Sequence, residues 1–214
     1  PKKIKIIGDS SLSKRDMQRI IDPLKKFGAT FYPKNRKTLP LSIRGTDQVK
    51  SINYEELKGS AQCKSAVMLA ALSAPGITKL KCKRSRNHTE LLFKYLKIPI
   101  QIKKIKNFDY IQVKGGGKIS SFNYNLPGDI SSSAFFIVLT LLSKKSSLII
   151  KNINVNPSRT GVITVLNLMG AKIQLKNRKI YKGEKIADIF VKSSQNLKAI
   201  NCPTNLNSCT IDEF

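Results

Sequence analysis

The 214-residue chain has little that would serve metal, disulfide or triad chemistry. One histidine, His88, and four cysteines, Cys63, Cys82, Cys202 and Cys209, form no CxxC pair and no spaced ligand set. Neither a zinc site nor a disulfide framework is therefore expected, and the cysteines read as scattered reduced thiols of a cytoplasmic protein. The longest apolar run, Ala134 to Leu142, is broken by Thr140 and falls far short of the roughly 20 residues a membrane span needs. No leader pattern opens the chain. It also lacks an initiator Met and stops at Ile211-Asp212-Glu213-Phe214, which leads us to expect a piece of a longer chain.

Acidic residues are scarce as well, 13 against 39 lysines and arginines, for a formal charge of +26. Such an excess ordinarily points to a polyanionic partner. Here the basic residues are mostly lysines dispersed among isoleucines and asparagines, the pattern that codon bias in an AT-rich genome produces. A nucleic-acid patch is local, richer in Arg and interleaved with aromatics. A hydrophobic content of 41% is enough to bury a core and excludes a disordered tail.

One pattern recurs along the chain. Lys58-Gly59-Ser60-Ala61-Gln62 opens the apolar stretch CKSAVMLAAL, followed by a turn at Pro75-Gly76, the strand TKLKC and the basic loop Arg84 to Thr89. The amphipathic ELLFKYLK and the alternating IPIQIKKI come next. The same order begins again at Gly128-Asp129-Ile130-Ser131-Ser132-Ser133, with the helix AFFIVLTLL, the strand SSLIIKNI, the loop Asn156 to Gly161, the helix VITVLNLMGA and the strand AKIQL. Arg86 lies 26 residues after Ser60, and Arg159 lies 28 after Ser131. The N-terminus reads as the back half of an earlier copy, with a helix over DMQRIIDPLKKFGA that Pro23 would interrupt outside its first turn. LKKFGA and LNLMGA share a Gly-Ala helix stop. A repeat of roughly 70 residues alternating strand and helix predicts a pseudo-symmetric α/β fold.

Small polar residues and arginines stand at helix entrances, where unpaired N–H groups and the helix dipole favour anions. Ser60, Thr89, Ser131 and Ser132 are also ordinary N-cap candidates, worth about 1 kcal/mol each. Their recurrence in register with arginines, which bind phosphate and carboxylate bidentately, points to a small, multiply anionic substrate. Gly115-Gly116-Gly117 lacks the spacing of a phosphate loop and reads as a turn between strands. His88 has no carboxylate–nucleophile constellation around it that would make a triad and reads as a helix-start hydrogen-bonding residue. Glu55, Glu56, Glu90 and Glu184 read as surface or helix positions. Asp129 and Asp212 fall at loop-to-helix transitions, where a side chain can face a cleft.

Six segments, SLSKRDMQRIIDPLKKFGA, GSAQCKSAVMLAAL, SRNHTELL, PGDISSSAFFIVLTLL, NPSRTGVITVLNLMGA and the terminal IDEF, occur in the order seen in 5-enolpyruvylshikimate-3-phosphate synthases. The chain resembles the bacterial class II forms of that family over essentially its whole length. The related UDP-N-acetylglucosamine enolpyruvyl transferases share the fold, but their reactive-cysteine loop is not found here. The resemblance implies an inside-out α/β barrel of repeated βαβαββ units, incomplete in this chain. Residues 1–126 would form the later part of the first enolpyruvyl transferase domain and 127–214 the opening part of the second.

The reaction implied transfers the enolpyruvyl group of phosphoenolpyruvate to the 5-hydroxyl of shikimate 3-phosphate, with no metal or organic cofactor. The full-length protein would be a cytoplasmic monomer with these two small-molecule partners and neither nucleic acid nor membrane. By resemblance, Arg15 grips phosphoenolpyruvate, although Asp16 stands where the family usually has Pro, and its carboxylate competes for the guanidinium. Ser60, Ala61 and Gln62 hold shikimate 3-phosphate, with Gln62 beside phosphoenolpyruvate too. Arg86 also holds shikimate 3-phosphate, in a motif where Asn87 replaces the usual Asp. Asp212 contacts the shikimate hydroxyls and accepts a proton. Asp129 and Arg159 are expected to organise helix entrances.

Two other readings compete. A basic nucleic-acid-binding or scaffold protein predicts DNA or RNA binding that weakens steeply with salt. A different enolpyruvyl transferase predicts another acceptor. The resemblance places further substrate-binding motifs outside these residues, so the isolated 214-residue chain is expected to be inactive. A phosphate-release assay on the purified chain checks this, and measurable turnover would refute it.

Overall fold

The alternation of strand and helix is present in the computed structural model of the chain, which describes residues 2–194, 196–210 and 212–213, without the Ser208 side chain. Of the terminal IDEF motif, Ile211 and Phe214 lie outside the described residues. Contacts divide the chain into two units, Pro1–Ser85 with Leu96–Ser120, and Arg86–Tyr95 with Ser121–Phe214.

The first unit holds β1 (Lys3–Ile6), a 3-10 turn at Leu12–Lys14, α1 (Gln18–Lys26), β2 (Thr30–Tyr32), β3 (Leu41–Arg44), β4 (Asn53–Glu56), α2 (Ala61–Ala71), β5 (Gly76–Lys83), β6 (Ile100–Ile105) and β7 (Phe108–Gly115). Its sheets have the orders β1-β3-β2 and β4-β5-β7-β6. The pairs are antiparallel except β4 with β5, which are parallel and so need the α2 crossover between them. The second unit holds α3 (His88–Tyr95), α4 (Ile130–Leu142), β8 (Ser147–Asn154), α5 (Gly161–Leu168), β9 (Gln174–Tyr181), β10 (Glu184–Lys192) and α6 (Asn207–Thr210). Its sheet has the order β8-β10-β9.

These orders are one topology used three times. In chain order the middle copy is β4-α2-β5-α3-β6-β7, a full βαβαββ unit. The last copy, α4-β8-α5-β9-β10, is the same, with its first strand reduced to a parallel bridge between Gly128 and Ile153. The opening residues, β1-α1-β2-β3, are the back half of a third copy. The α/β class and the repeat are thus as the sequence predicts.

Local chemistry sets the boundaries. Both Gly-Ala stops close in the same way, with Gly28 at φ +104° and Gly170 at φ +101°, bonded to the Lys25 and Asn167 carbonyls. The β9–β10 connection is the two-residue turn Lys182-Gly183, with positive φ at both positions, which matches the strand twist. Pro23 does not interrupt α1, although it is the sixth of its nine residues. Pro23 and Ile21 are buried, and Ile21 packs with Phe31, Leu39 and Leu41, so tertiary burial sustains the helix despite one missing backbone donor. The Gly115-Gly116-Gly117 run is not a turn between paired strands. Gly115 ends β7, and the chain continues without regular structure.

Helix α4 is apolar on all sides, so its sequence does not tell which face is inside. Ile130, Ala134, Ile137 and Leu141 pack with Val162 and Leu166 of α5 and with Ile189 and Val191 of β10. Phe135, Phe136, Leu139 and Leu142 are exposed. Ile137→Ala should therefore cost about 2–5 kcal/mol, whereas Phe135→Ala should change stability by no more than about 0.5 kcal/mol. Urea unfolding midpoints of the two variants test the assignment, and equal losses would reverse it.

Candidate functional site

In the first unit the site residues gather at the start of α2. Ser60 has extended backbone and its Oγ accepts from the Cys63 amide at 3.2 Å, capping the helix as its sequence position suggests. Ala61 and Gln62 form the first turn, where the helix leaves N–H groups without intrahelical partners. Glu56, at the end of β4, holds the approach to this turn. Its two oxygens take the amides of Lys58 at 3.0 Å and Gly59 at 2.9 Å. Glu56 is 5% exposed, which corrects its reading as a surface position. The Gln62 side chain receives a hydrogen bond from Arg19 Nη1 at 3.3 Å.

Arg15 follows the 3-10 turn and its side chain is exposed. The carboxylate of Asp16 takes the Gln18 amide at 2.7 Å, at the start of α1. Burial pushes the Cys63 thiol up, and Tyr54, bonded to it, is raised by its own burial to about 12. Neither is a nucleophile at neutral pH.

The second unit brings Arg86 and Asp212 together, 126 residues apart in sequence. Arg86 Nη2 lies 2.5 Å from Asp212 Oδ2, and Arg159 Nη2 lies 3.6 Å from the same oxygen. Arg159 also reaches Asp129 Oδ1 at 2.9 Å and Ser131 Oγ at 2.5 Å. Ser131 in turn donates to Glu213 Oε1. Asp129, not a serine, caps α4, accepting from the Ser132 amide at 2.9 Å. Ser131, Ser132 and Thr89 lie inside their helices and are not N-caps.

Close approach of α5 and α6 delivers Asp212 to this cluster. A Cβ on Gly161 would meet Thr210 Cγ2 at 2.3 Å and the Cys209 carbonyl oxygen at 2.8 Å, so only glycine allows the contact. The side chain of Arg159 is 16% exposed against 44% for Asp212 and 49% for Asp129, which makes the two carboxylates the open edge of the cluster. A pair that open contributes little stability, so its significance is chemical. Two guanidiniums and a carboxylate that meet in this way can take a phosphate and an adjacent hydroxyl.

Behind Arg86 lies a second network. His88 Nδ1 is 2.6 Å from Glu184 Oε1, and Glu184 Oε2 accepts from Asn156 Nδ2 at 3.2 Å. Asn156 Nδ2 also reaches Asn87 Oδ1 at 2.8 Å, an acceptor that the Asp usual at this position would equally supply. Glu184 is buried in β10, which corrects its reading as a surface or helix position, whereas His88 opens α3 and is hydrogen-bonded, as the sequence predicts. A cavity of about 480 Å³ adjoins this network, lined in part by His88, Tyr124, Asp129, Arg159, Lys182 and Glu184. Among the described residues no three His, Cys, Asp or Glu side chains gather as a metal site. No helix among them is long and apolar enough to cross a membrane.

Arg15, Ser60, Ala61 and Gln62 thus belong to the first unit, Arg86 and Asp212 to the second. Sequence reasoning missed Arg19, Glu56 and Glu184. The only local signal for Glu56 was its place just before a Gly-containing loop, and Arg19 and Glu184 carried none.

The family model for EPSP synthase (3-phosphoshikimate 1-carboxyvinyltransferase) matches residues 1–209. The chain is 41% identical over 211 residues to the 3-phosphoshikimate 1-carboxyvinyltransferase of Hydrogenovibrio crunogenus, covering 98% of this chain and 47% of that protein. The structure of EPSP synthase from Acinetobacter baumannii superposes with a TM-score of 0.81 at 39% identity, over 99% of this chain and 48% of that one. The enolpyruvyl transferase NikO from Streptomyces tendae, at 12% identity and a TM-score of 0.60 over 90% of this chain and 44% of that one, shares the fold. The chain spans about half the length of the curated relatives it matches.

The electrostatics of the second unit predict an acid-sensitive structure. Burial alone would raise the Glu184 carboxyl, but His88, Asn156 and Asn154 outweigh it and hold the group below its ordinary range. For Asp129, burial is likewise outweighed, by the Ser132 amide and hydroxyl and by Arg159. A carboxyl depressed on folding adds stability that is complete above its unfolded value of about 4 and is lost as pH falls through the folded value. The urea midpoint should therefore drop below about pH 4, and Glu184→Gln should flatten that acid limb while lowering the neutral plateau. An unchanged limb in the variant would show that Glu184 does not contribute.

Proposed function

This chain belongs to the EPSP synthase family, and from that premise we propose that it carries part of an enzyme that transfers the enolpyruvyl group of phosphoenolpyruvate to the 5-hydroxyl of shikimate 3-phosphate and releases phosphate. The observation that carries the reading is the convergence of Arg86 and Arg159 on Asp212 Oδ2, at 2.5 and 3.6 Å. A phosphate monoester bearing free hydroxyls satisfies both halves of that cluster. Its phosphate takes the guanidinium of Arg86, and a hydroxyl takes the carboxylate that the guanidinium releases.

Asp212 is then the proton acceptor. The hydroxyl oxygen bonds to the central carbon of phosphoenolpyruvate as its proton leaves, and the methylene carbon gains a proton. Elimination removes a proton from the resulting methyl group and breaks the carbon–oxygen bond to phosphate. A carboxylate positioned for such transfers contributes typically 10²–10⁴-fold. The open edge at Asp212, 44% exposed, supports this role.

Ser60, Ala61 and Gln62 bind shikimate 3-phosphate with the first turn of α2, and Gln62 also meets phosphoenolpyruvate. The Arg19 bond occupies Gln62 Oε1, so the part of Gln62 that meets substrate is its amide N–H donor. Arg15 binds phosphoenolpyruvate. Holding two anionic substrates in reacting geometry is itself a large part of the catalysis. In the full-length protein, residues 1–126 complete one enolpyruvyl transferase domain and 127–214 open the second, and the whole closes as an inside-out α/β barrel. The protein acts as a cytoplasmic monomer on these two substrates, without nucleic acid.

The test uses the enzyme at its natural full length, with phosphate release from phosphoenolpyruvate followed against shikimate 3-phosphate. Release should require that acceptor. Asp212→Ala should lower kcat about 10²–10⁴-fold, and Arg86→Ala should cost about 1.5–3 kcal/mol in kcat/KM for shikimate 3-phosphate. A folded enzyme that releases phosphate only with a different acceptor would refute the substrate assignment.

A further inference from the structure

Glu184 touches none of the groups that the reaction needs, yet it stands behind two of them. It is the first residue of β10 and 5% exposed, with both oxygens engaged. Oε1 faces His88 Nδ1 at 2.6 Å and Oε2 accepts from Asn156 Nδ2 at 3.2 Å. His88 and Asn87 are the two residues that follow Arg86. One meets Glu184 directly, and the other is bonded through Asn156 Nδ2 at 2.8 Å.

Asn156 also organises the second arginine loop. Its Oδ1 takes the Ser158 amide at 2.9 Å and hydroxyl at 2.8 Å, and its carbonyl takes the Arg159 amide at 2.8 Å. One buried carboxylate therefore underlies both loops whose guanidiniums meet at Asp212. Hydrogen bonds to an ionised group are roughly twice as strong as neutral ones, and a buried network of this kind holds its members to one arrangement.

We propose that Glu184 is a positioning residue for the reaction, setting the places of Arg86 and Arg159 through His88 and Asn156. The proposal rests on the reading of Arg86 and Asp212 given above. Glutamine at this position keeps the shape but replaces one oxygen with a donor. Asn156 Nδ2 and His88 Nδ1 both donate to the carboxylate, so one arm must break or the imidazole must change tautomer.

The imidazole of His88 makes the direct arm visible. In the full-length wild type labelled with ¹⁵N on histidine, the shifts assigned to residue 88 should show Nδ1 carrying the proton, and in Glu184→Gln the ring-nitrogen shifts should move, because Nδ1 no longer faces a carboxylate. Kinetically, Glu184→Gln should raise KM for shikimate 3-phosphate on the order of 10- to 100-fold, with KM for phosphoenolpyruvate changed less than about threefold. In an Arg86→Ala background the same substitution should raise KM for shikimate 3-phosphate by a smaller factor than in the wild type, because one of the two groups it positions is gone.

Equal rises in both KM values, or effects that multiply in the double variant, would overturn the proposal. So would moved ring-nitrogen shifts with unchanged KM for shikimate 3-phosphate. Absence of shikimate 3-phosphate turnover in the wild type would instead refute the functional reading itself, and the positioning role with it. If Glu184→Gln fails to fold, His88→Ala removes the direct arm alone and must give the same split between the two KM values.

Discussion

Burying Glu184 at the start of β10 creates a charge that must be bonded on both oxygens, and the partners it takes, His88 and Asn156, belong to the loops whose arginines meet at Asp212. An unpaired carboxylate at 5% exposure would be strongly destabilising, so these contacts are obligatory once the strand is in place. The loops are then held by the same requirement that keeps the carboxylate ionised. Precision at an exposed site is in this way derived from a constraint in the interior.

A related device serves the first unit. Glu56, buried at the end of β4, takes the amides of Lys58 and Gly59 and so sets the approach to Ser60, Ala61 and Gln62. In both cases a carboxylate on a strand holds the loop before a helix, and the helix entrance becomes an ordered array of donors. These positions are occupied in a chain with only 13 acidic residues, where each carboxylate faces many possible cationic partners. Burial removes that ambiguity, because only neighbours brought by the fold can reach the group.

The contact of Arg86 with Asp212 bears on how anionic substrates are handled. An isolated cluster of guanidiniums repels itself, and the two carboxylates, Asp129 and Asp212, offset that repulsion. Asp129 is tied to the α4 start by the Ser132 amide and hydroxyl, whereas the Asp212 carboxylate accepts from Arg86.

The repeat, the α/β class, both Gly-Ala helix stops and the helix entrances at Ser60 and Asp129 were legible in the sequence, because strand and helix periodicity, helix stops and caps are local properties. The family resemblance rests on the same local segments. What surrounds those residues was decided only by tertiary structure. His88 and Glu184 are 96 residues apart, and Asn87 and Asn156 are 69 apart, so neither pairing leaves a mark on nearby residues. Glu56 and Glu184 look like surface positions by residue type, and only strand pairing and helix packing bury them. Pro23 looked like a break in α1 until burial of its apolar face outweighed one lost hydrogen bond, and the uniformly apolar α4 acquired an inside and an outside only where β10 and α5 met it.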